Sequence, residues 1–186
     1  MEQVVLVDVH DHEIGVEEKI KAHREALCHR AFSVFIFKDF LPRHSRFAVN
    51  PDFELLLQQR QFGKYHSEGK WTNTCCGHPR PNETVERGAH RRLKEEMGLD
   101  IPLKEIGVFH YQANCAEGIF ENEVDHVFVG FYHDEPIQVN KEEVAAYRWI
   151  DVSQLLLELK SQSLVYTPWF KEAFLLALQN LKRENT

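Results

Sequence analysis

Two adjacent thiols, Cys75 and Cys76, stand in the run Thr72-Asn73-Thr74-Cys75-Cys76-Gly77-His78-Pro79. A cysteine does acid–base or nucleophilic work only where its pKa and access suit the task; otherwise it is a small apolar filler or a metal ligand. Further along, Glu121 and Glu123 are two residues apart. On a strand they share a face, because side chains alternate with period two. Two carboxylates on one face repel unless a cation or a proton lies between them. A metal is the sharper explanation, and histidines are available for it: His78 follows the Cys-Gly pair, and His23 and His29 lie near the start of the chain. There are 11 histidines in all, so most are bystanders, and His10, His12, His44, His66, His90 and His133 are read as such. A second acidic pair, Glu95 and Glu96, sits near the end of a helical pattern, where neighbours are about 100° apart around the axis, so only one can point squarely at a bound cation. Arg91 and Arg92 each precede one of them by four residues, the spacing for ion pairs along a helix.

These groups must be held by strands and a few helices. Residues 31–38, 54–60, 103–111, 124–133 and 143–151 read as strands, short and rich in aromatic and β-branched side chains. One helix is well marked: Asn82 can cap it, Val85, Ala89, Leu93 and Met97 recur every four residues, and Gly98 suits the position just past its end. A second helix is expected from Pro168 to about Leu181, turning Phe170, Phe174, Leu175 and Ala177 to the core. The mixture predicts an α+β domain, a mixed β-sheet flanked by helices, with residues 1–186 as a single domain.

A length of 186 residues suits one domain with a sizeable core. The net charge of −7 argues against a nucleic-acid partner, which wants a basic face, but leaves room for a small anionic substrate met by local Lys and Arg. Charges interrupt every apolar run before the roughly 20 residues of a membrane span. The start, Met1 to Asp8, lacks the basic region of a signal peptide, so the expected location is cytoplasmic. Adjacent cysteines make a disulfide framework a poor reading.

The stretch Gly77 to Leu99 resembles the Nudix box: it supplies Gly77, Glu83, Arg91, Leu93, Glu95, Glu96, Gly98 and Leu99 in order, and departs where Arg92 stands for a Glu. Around it, His29-Arg30-Ala31-Phe32-Ser33, Leu55 to Arg60, the Thr72 to Pro79 run, Tyr111, Glu121-Asn122-Glu123 and Thr167-Pro168-Trp169-Phe170 look like the type 1 isopentenyl diphosphate isomerases, over roughly residues 19 to 175. The resemblance implies a Nudix-type fold and an allylic double-bond shift between isopentenyl and dimethylallyl diphosphate. It implies Cys76 and Glu123 as the acid–base pair, Tyr111 as a proton relay, and Trp169 as the aromatic face against a carbocation. It selects His23, His29, His78, Glu121 and Glu123 as ligands of one divalent ion, Mn2+ or Zn2+, and Lys19, Arg60, Lys64 and Arg92 as contacts to the diphosphate. It adds a Mg2+ held by the substrate, Glu96 and the backbone carbonyl of Cys76. The partner is then a small-molecule substrate, with no nucleic acid and no membrane, and the protein a monomer or homodimer.

Two other readings stay open at this stage. A Nudix hydrolase of a nucleotide or related diphosphate would use the helix carboxylates to activate water. A binding module on the same fold would have no use for Cys76, Glu123 and the ligand set together.

Overall fold

The pattern Val85, Ala89, Leu93, Met97 does form a helix, α2 (Val85–Met97), with Ala89, Leu93 and Met97 fully buried. In the computed structural model, which describes residues 2–39, 53–116 and 118–184, its cap is Thr84 and not Asn82. The Thr84 hydroxyl accepts from the Arg87 amide at 3.3 Å. Asn82 instead turns the chain two residues earlier with φ of 65°, a conformation Asn tolerates better than most. Gly98 ends α2 in the left-handed region, φ 72°, and a Cβ there would meet Gln138 at 2.9 Å. Thr84→Ala is expected to cost about 1 kcal/mol, lowering Tm by about 2–4 °C in a domain of this size, as thermal denaturation would measure.

The strands form one mixed sheet. In chain order they are β1 (Gln3–Val7), β2 (Glu13–Glu18), β3 (His29–Asp39), β4 (Phe53–Arg60), β5 (Trp71–Thr72), β6 (Cys75–Gly77), β7 (Lys104–Ala116), β8 (Ile119–Phe131) and β9 (Val144–Asp151). β3 lies at the centre and pairs parallel to β8 from His29↔Glu123 to Phe37↔Phe131. Its other edge is shared in turn by β1, β6 and β4, all antiparallel. β7 and β8 make a long hairpin that extends past the expected 103–111 and begins before 124.

Each face of the sheet carries its own apolar cluster. α2 covers one, packing Leu93 and Met97 against Phe32, Val34, Ile36 and Phe128. α3 (Val152–Ser161) and α4 (Phe170–Glu184) cover the other, where Phe170 and Phe174 stack near Phe35. α4 starts two residues later than expected, and Leu175 points outward at 39% exposure; Phe170, Ala173, Phe174, Ala177, Leu178 and Leu181 make the buried stripe at helical spacing. Besides the expected helices there are α3 and α1 (Lys19–Arg24), the latter capped by Glu18. His44 lies outside the described residues. Among the described residues no helix is long and apolar enough to cross a membrane.

Candidate active site

The run Thr72 to Thr74 is buried although it is polar, and its side chains explain how it can be. The Thr74 hydroxyl donates to the Leu56 carbonyl at 2.6 Å and accepts from the Ile36 amide at 2.9 Å, bridging β4 to β3. Asn73 Nδ2 donates to the carbonyls of Cys75 and Val34, and its Oδ1 accepts from Trp169 Nε1 at 3.3 Å. This strap delivers β6 to the edge of β3, where Cys76 lies opposite Ser33. Cys75 turns into the α2-side core at 0% exposure, while Cys76 opens onto a cleft lined also by Glu123, Tyr111 and Trp169.

The cleft floor comes from register. His29, Glu123 and Tyr111 lie directly opposite one another on β3, β8 and β7. Tyr111 Oη donates to Glu123 Oε2 at 2.5 Å, while His29 Nε2 and His78 Nε2 stand 3.3 and 2.8 Å from Glu123 Oε1. Glu121, two residues before on the same face, faces His23 Nε2 at 3.5 Å and His66 Nε2 at 3.2 Å. α1 supplies His23, whose Nδ1 donates to the Lys19 carbonyl, and His29 Nδ1 donates likewise to the Leu27 carbonyl. These bonds leave each Nε2 aimed at the carboxylates, the orientation that second partners give to metal-ligating imidazoles.

Burial favours the neutral form of three imidazoles, the form that ligates metal: it lowers His23, and it takes His78 and His66 down to about 3. Burial and the adjacent Glu123 push Glu121 well above the usual carboxyl range. Burial would raise Glu123 too, but His29 and His78 beside it hold it well below. The Cys76 thiol is pushed up to about 12, chiefly by burial, so it carries its proton at neutral pH. Burial first, then Glu121 and Glu123, raise Tyr111 far above the usual phenol.

The four expected cations line the same cleft. Lys19 pairs with Glu2 at 3.1 Å, and Lys64 pairs with Glu143. The Arg60 guanidinium stacks 5.6 Å from the Trp169 ring centre. Arg92 reaches Glu96 Oε1 at 2.6 Å and Glu143 at 3.4 Å. Glu96 is buried, its second oxygen accepting from Gln58 Nε2 at 2.7 Å, whereas Glu95 is 40% exposed on the outside of α2. Only one of the two adjacent carboxylates therefore turns inward, and Arg92 and Gln58 already engage both its oxygens.

Every residue assigned a role from the sequence thus lies in or against this cleft or its His–Glu cluster. One was missed. His66, read as a bystander, is 5% exposed and sits among His23, Glu121 and Trp169. Its neighbours Gly63, Ser67 and Gly69 adopt left-handed backbone conformations in the turn that carries it to the cleft. The one sign was its place between Lys64 and the Thr72 run.

Residues 29–170 match the NUDIX domain family. The chain is 45% identical over 171 residues to isopentenyl-diphosphate Delta-isomerase 2 of Photorhabdus laumondii, covering 92% of this chain and 89% of that one. It is 42% identical to isopentenyl-diphosphate Delta-isomerase 2 of Aromatoleum aromaticum, covering 90% and 82%. In structure it resembles DR0079 from Deinococcus radiodurans, with a TM-score of 0.65 over 87% of this chain and 90% of that one at 16% identity, a likeness of fold.

Proposed function

The chain belongs to the NUDIX domain family and, within it, to the isopentenyl-diphosphate Delta-isomerases, and we propose that its cleft moves the double bond with Cys76 and Glu123 as the acid–base pair. The protein is an isomerase interconverting isopentenyl and dimethylallyl diphosphate. One observation carries the assignment of the pair: Cys76 from β6 and Glu123 from β8 line one cleft together with Lys19, Arg60, Lys64 and Arg92.

No carbonyl activates the migrating proton, so the alkene must be protonated first. The Cys76 thiol gives its proton to the terminal methylene carbon and leaves a tertiary cation at the branch carbon. Glu123 then takes a proton from the methylene next to it, and the new double bond closes. The roles reverse in the return direction. Tyr111, bonded to Glu123, relays the proton that resets the pair. Trp169 offers its ring to the cation, and the buried walls keep out the water that would trap it. Lys19, Arg60, Lys64 and Arg92 hold the diphosphate, Arg by paired hydrogen bonds and Lys as a point charge.

A divalent metal fits the His–Glu cluster. His23, His29, His78 and Glu123 offer atoms within 4.8 Å of one another, and Glu121 Oε2 is buried with no hydrogen bond among the described residues. With Glu121 the set is mixed imidazole and carboxylate, suited to Mn2+ or Zn2+ in more than four-coordinate geometry. When bound, the ion compensates the charge of the two adjacent carboxylates. Mg2+ would accompany the diphosphate, and Glu96 could join it only once Arg92 has turned to the substrate. The enzyme is read as cytoplasmic, a single domain over residues 1–186, acting as monomer or homodimer on a small diphosphate substrate.

Proton NMR of isopentenyl diphosphate with the protein and Mg2+ tests this reading. The dimethylallyl methyl signals are expected to grow without release of phosphate; hydrolysis without isomerisation would overturn it.

Arg92 gives a second test. Arg92→Gln is expected to lower kcat/KM by at least about tenfold, since a charge-assisted contact contributes about 1.5–3 kcal/mol. It also strips a partner from buried Glu96, so Tm should fall as well. Unchanged steady-state kinetics would remove Arg92 from the diphosphate site.

A further inference from the structure

His66 is a residue the isomerase reading leaves without work, and its surroundings are those of a ligand. It is 5% exposed; Nε2 faces Glu121 Oε1 at 3.2 Å; and its ring lies nearly parallel to that of His23 with centres 5.8 Å apart. His23, His66 and Glu121 offer atoms within 4.8 Å of one another, and His23 belongs equally to the group formed with His29, His78 and Glu123. The two groups therefore share a member, and their carboxylates are neighbours on β8. His66 Nδ1 is buried without a hydrogen bond among the described residues, as is His78 Nδ1, so neither ring is tied down from behind as His23 and His29 are. A buried polar ring held so weakly costs stability unless something in front anchors it.

We propose that His66 is a fourth imidazole ligand of the same ion, which would draw the His23–His66–Glu121 group and the His23–His29–His78–Glu123 group, joined at His23, into one coordination sphere. This rests on the metal-centre reading above. Four imidazoles and two carboxylates supply six donors, enough for an octahedral ion. An ion with every position taken by protein has no open place for water, and water-activating metal sites need one. His66 thereby makes the centre an electrostatic and structural partner of Glu123, unable to generate a hydroxide beside the diphosphate.

The test loads metal-free full-length protein with Co2+. Elemental analysis counts the ions, and proton NMR counts the strongly shifted, solvent-exchangeable imidazole N–H signals, one for each ligating histidine. Wild type is expected to hold one ion and show four such signals. His66→Gln, which keeps an amide able to bond Glu121, should stay folded by circular dichroism, show three, and lose its ion to a chelator at least about tenfold faster. Three signals in the wild type, or an unchanged spectrum and release rate in His66→Gln, would overturn the proposal. So would two ions in the wild type with the second lost in His66→Gln, which would make His66 the ligand of a separate ion. Protein that binds no Co2+ at all would fail the metal-centre reading itself, an outcome distinct from three signals around one ion.

Discussion

Cys76→Ala is expected to lower kcat by a factor on the order of 10² to 10⁴, the usual contribution of a positioned acid or base. The substitution sits at the cleft, so the fold should survive it. Its neighbour is the internal control. Cys75 is wholly enclosed by the α2-side cluster, and Cys75→Ala removes only a buried sulfur. That change should cost roughly 1 kcal/mol of stability, as small core truncations do, and leave kcat within a few-fold of wild type. The thiol keeps its proton up to about 12, so the acid form is the resting one. Activity should therefore show no alkaline loss traceable to Cys76 below about pH 10; above the shifted pKa the proton is gone and the acid with it. Steady-state kinetics of both alanine variants, with a pH series on the wild type, check the assignment. A Cys76→Ala protein retaining more than about a tenth of the activity would end it.

Removing the tightly held ion is expected to abolish activity and to loosen the fold. Glu121 and Glu123 are buried side by side, and without a cation one of them must hold a proton or both must repel. A ligand at 100 times its dissociation constant stabilises the folded state by about 2.7 kcal/mol. Chelated protein should therefore melt about 5 °C or more below the loaded form, and readdition of Mn2+ or Zn2+ should restore both melting temperature and turnover. Elemental analysis before and after chelation closes the loop: full activity in metal-free protein would refute the metal centre. Glu123→Gln separates charge from coordination. It should lose turnover like Cys76→Ala while Glu121 and the histidines retain the ion more weakly.

The sequence made some of this visible and hid the rest for physical reasons. α2 was legible because one apolar residue in four, a following Gly and a full set of box residues agree. Its cap was misplaced because Asn82 and Thr84 are both good capping types and only the chain direction, with Asn82 left-handed, decides between them. β1 and β2 were not seen, since β2 is mostly exposed and lacks alternation, and α1 is too short for a period to show. Leu175 looked like core by type, yet it falls off the stripe set by Phe170, Phe174 and Leu178. That His23, His29, His78, Glu121, Glu123 and Cys76 would come together in one place was legible because their types and order resemble a family. The Arg92–Glu96 pair was legible from its four-residue spacing; what no pattern could give was that Gln58 takes the other oxygen of Glu96, or that the turn after Gly63 brings His66 back to Glu121.

The parallel pairing of His29 with Glu123 has a consequence for how the enzyme comes into being. The partners stand 94 residues apart in the chain, and a parallel pair needs a crossover connection between them, a slow, non-local closure. A nascent or truncated chain that lacks β8 holds His23, His29 and His78 but neither carboxylate. On the proposed site it would thus have no cage to trap an ion and no base to misuse a substrate. Metal uptake would then be a late event in biogenesis, and chains that had captured an ion would be those whose β3–β8 ladder had already zipped.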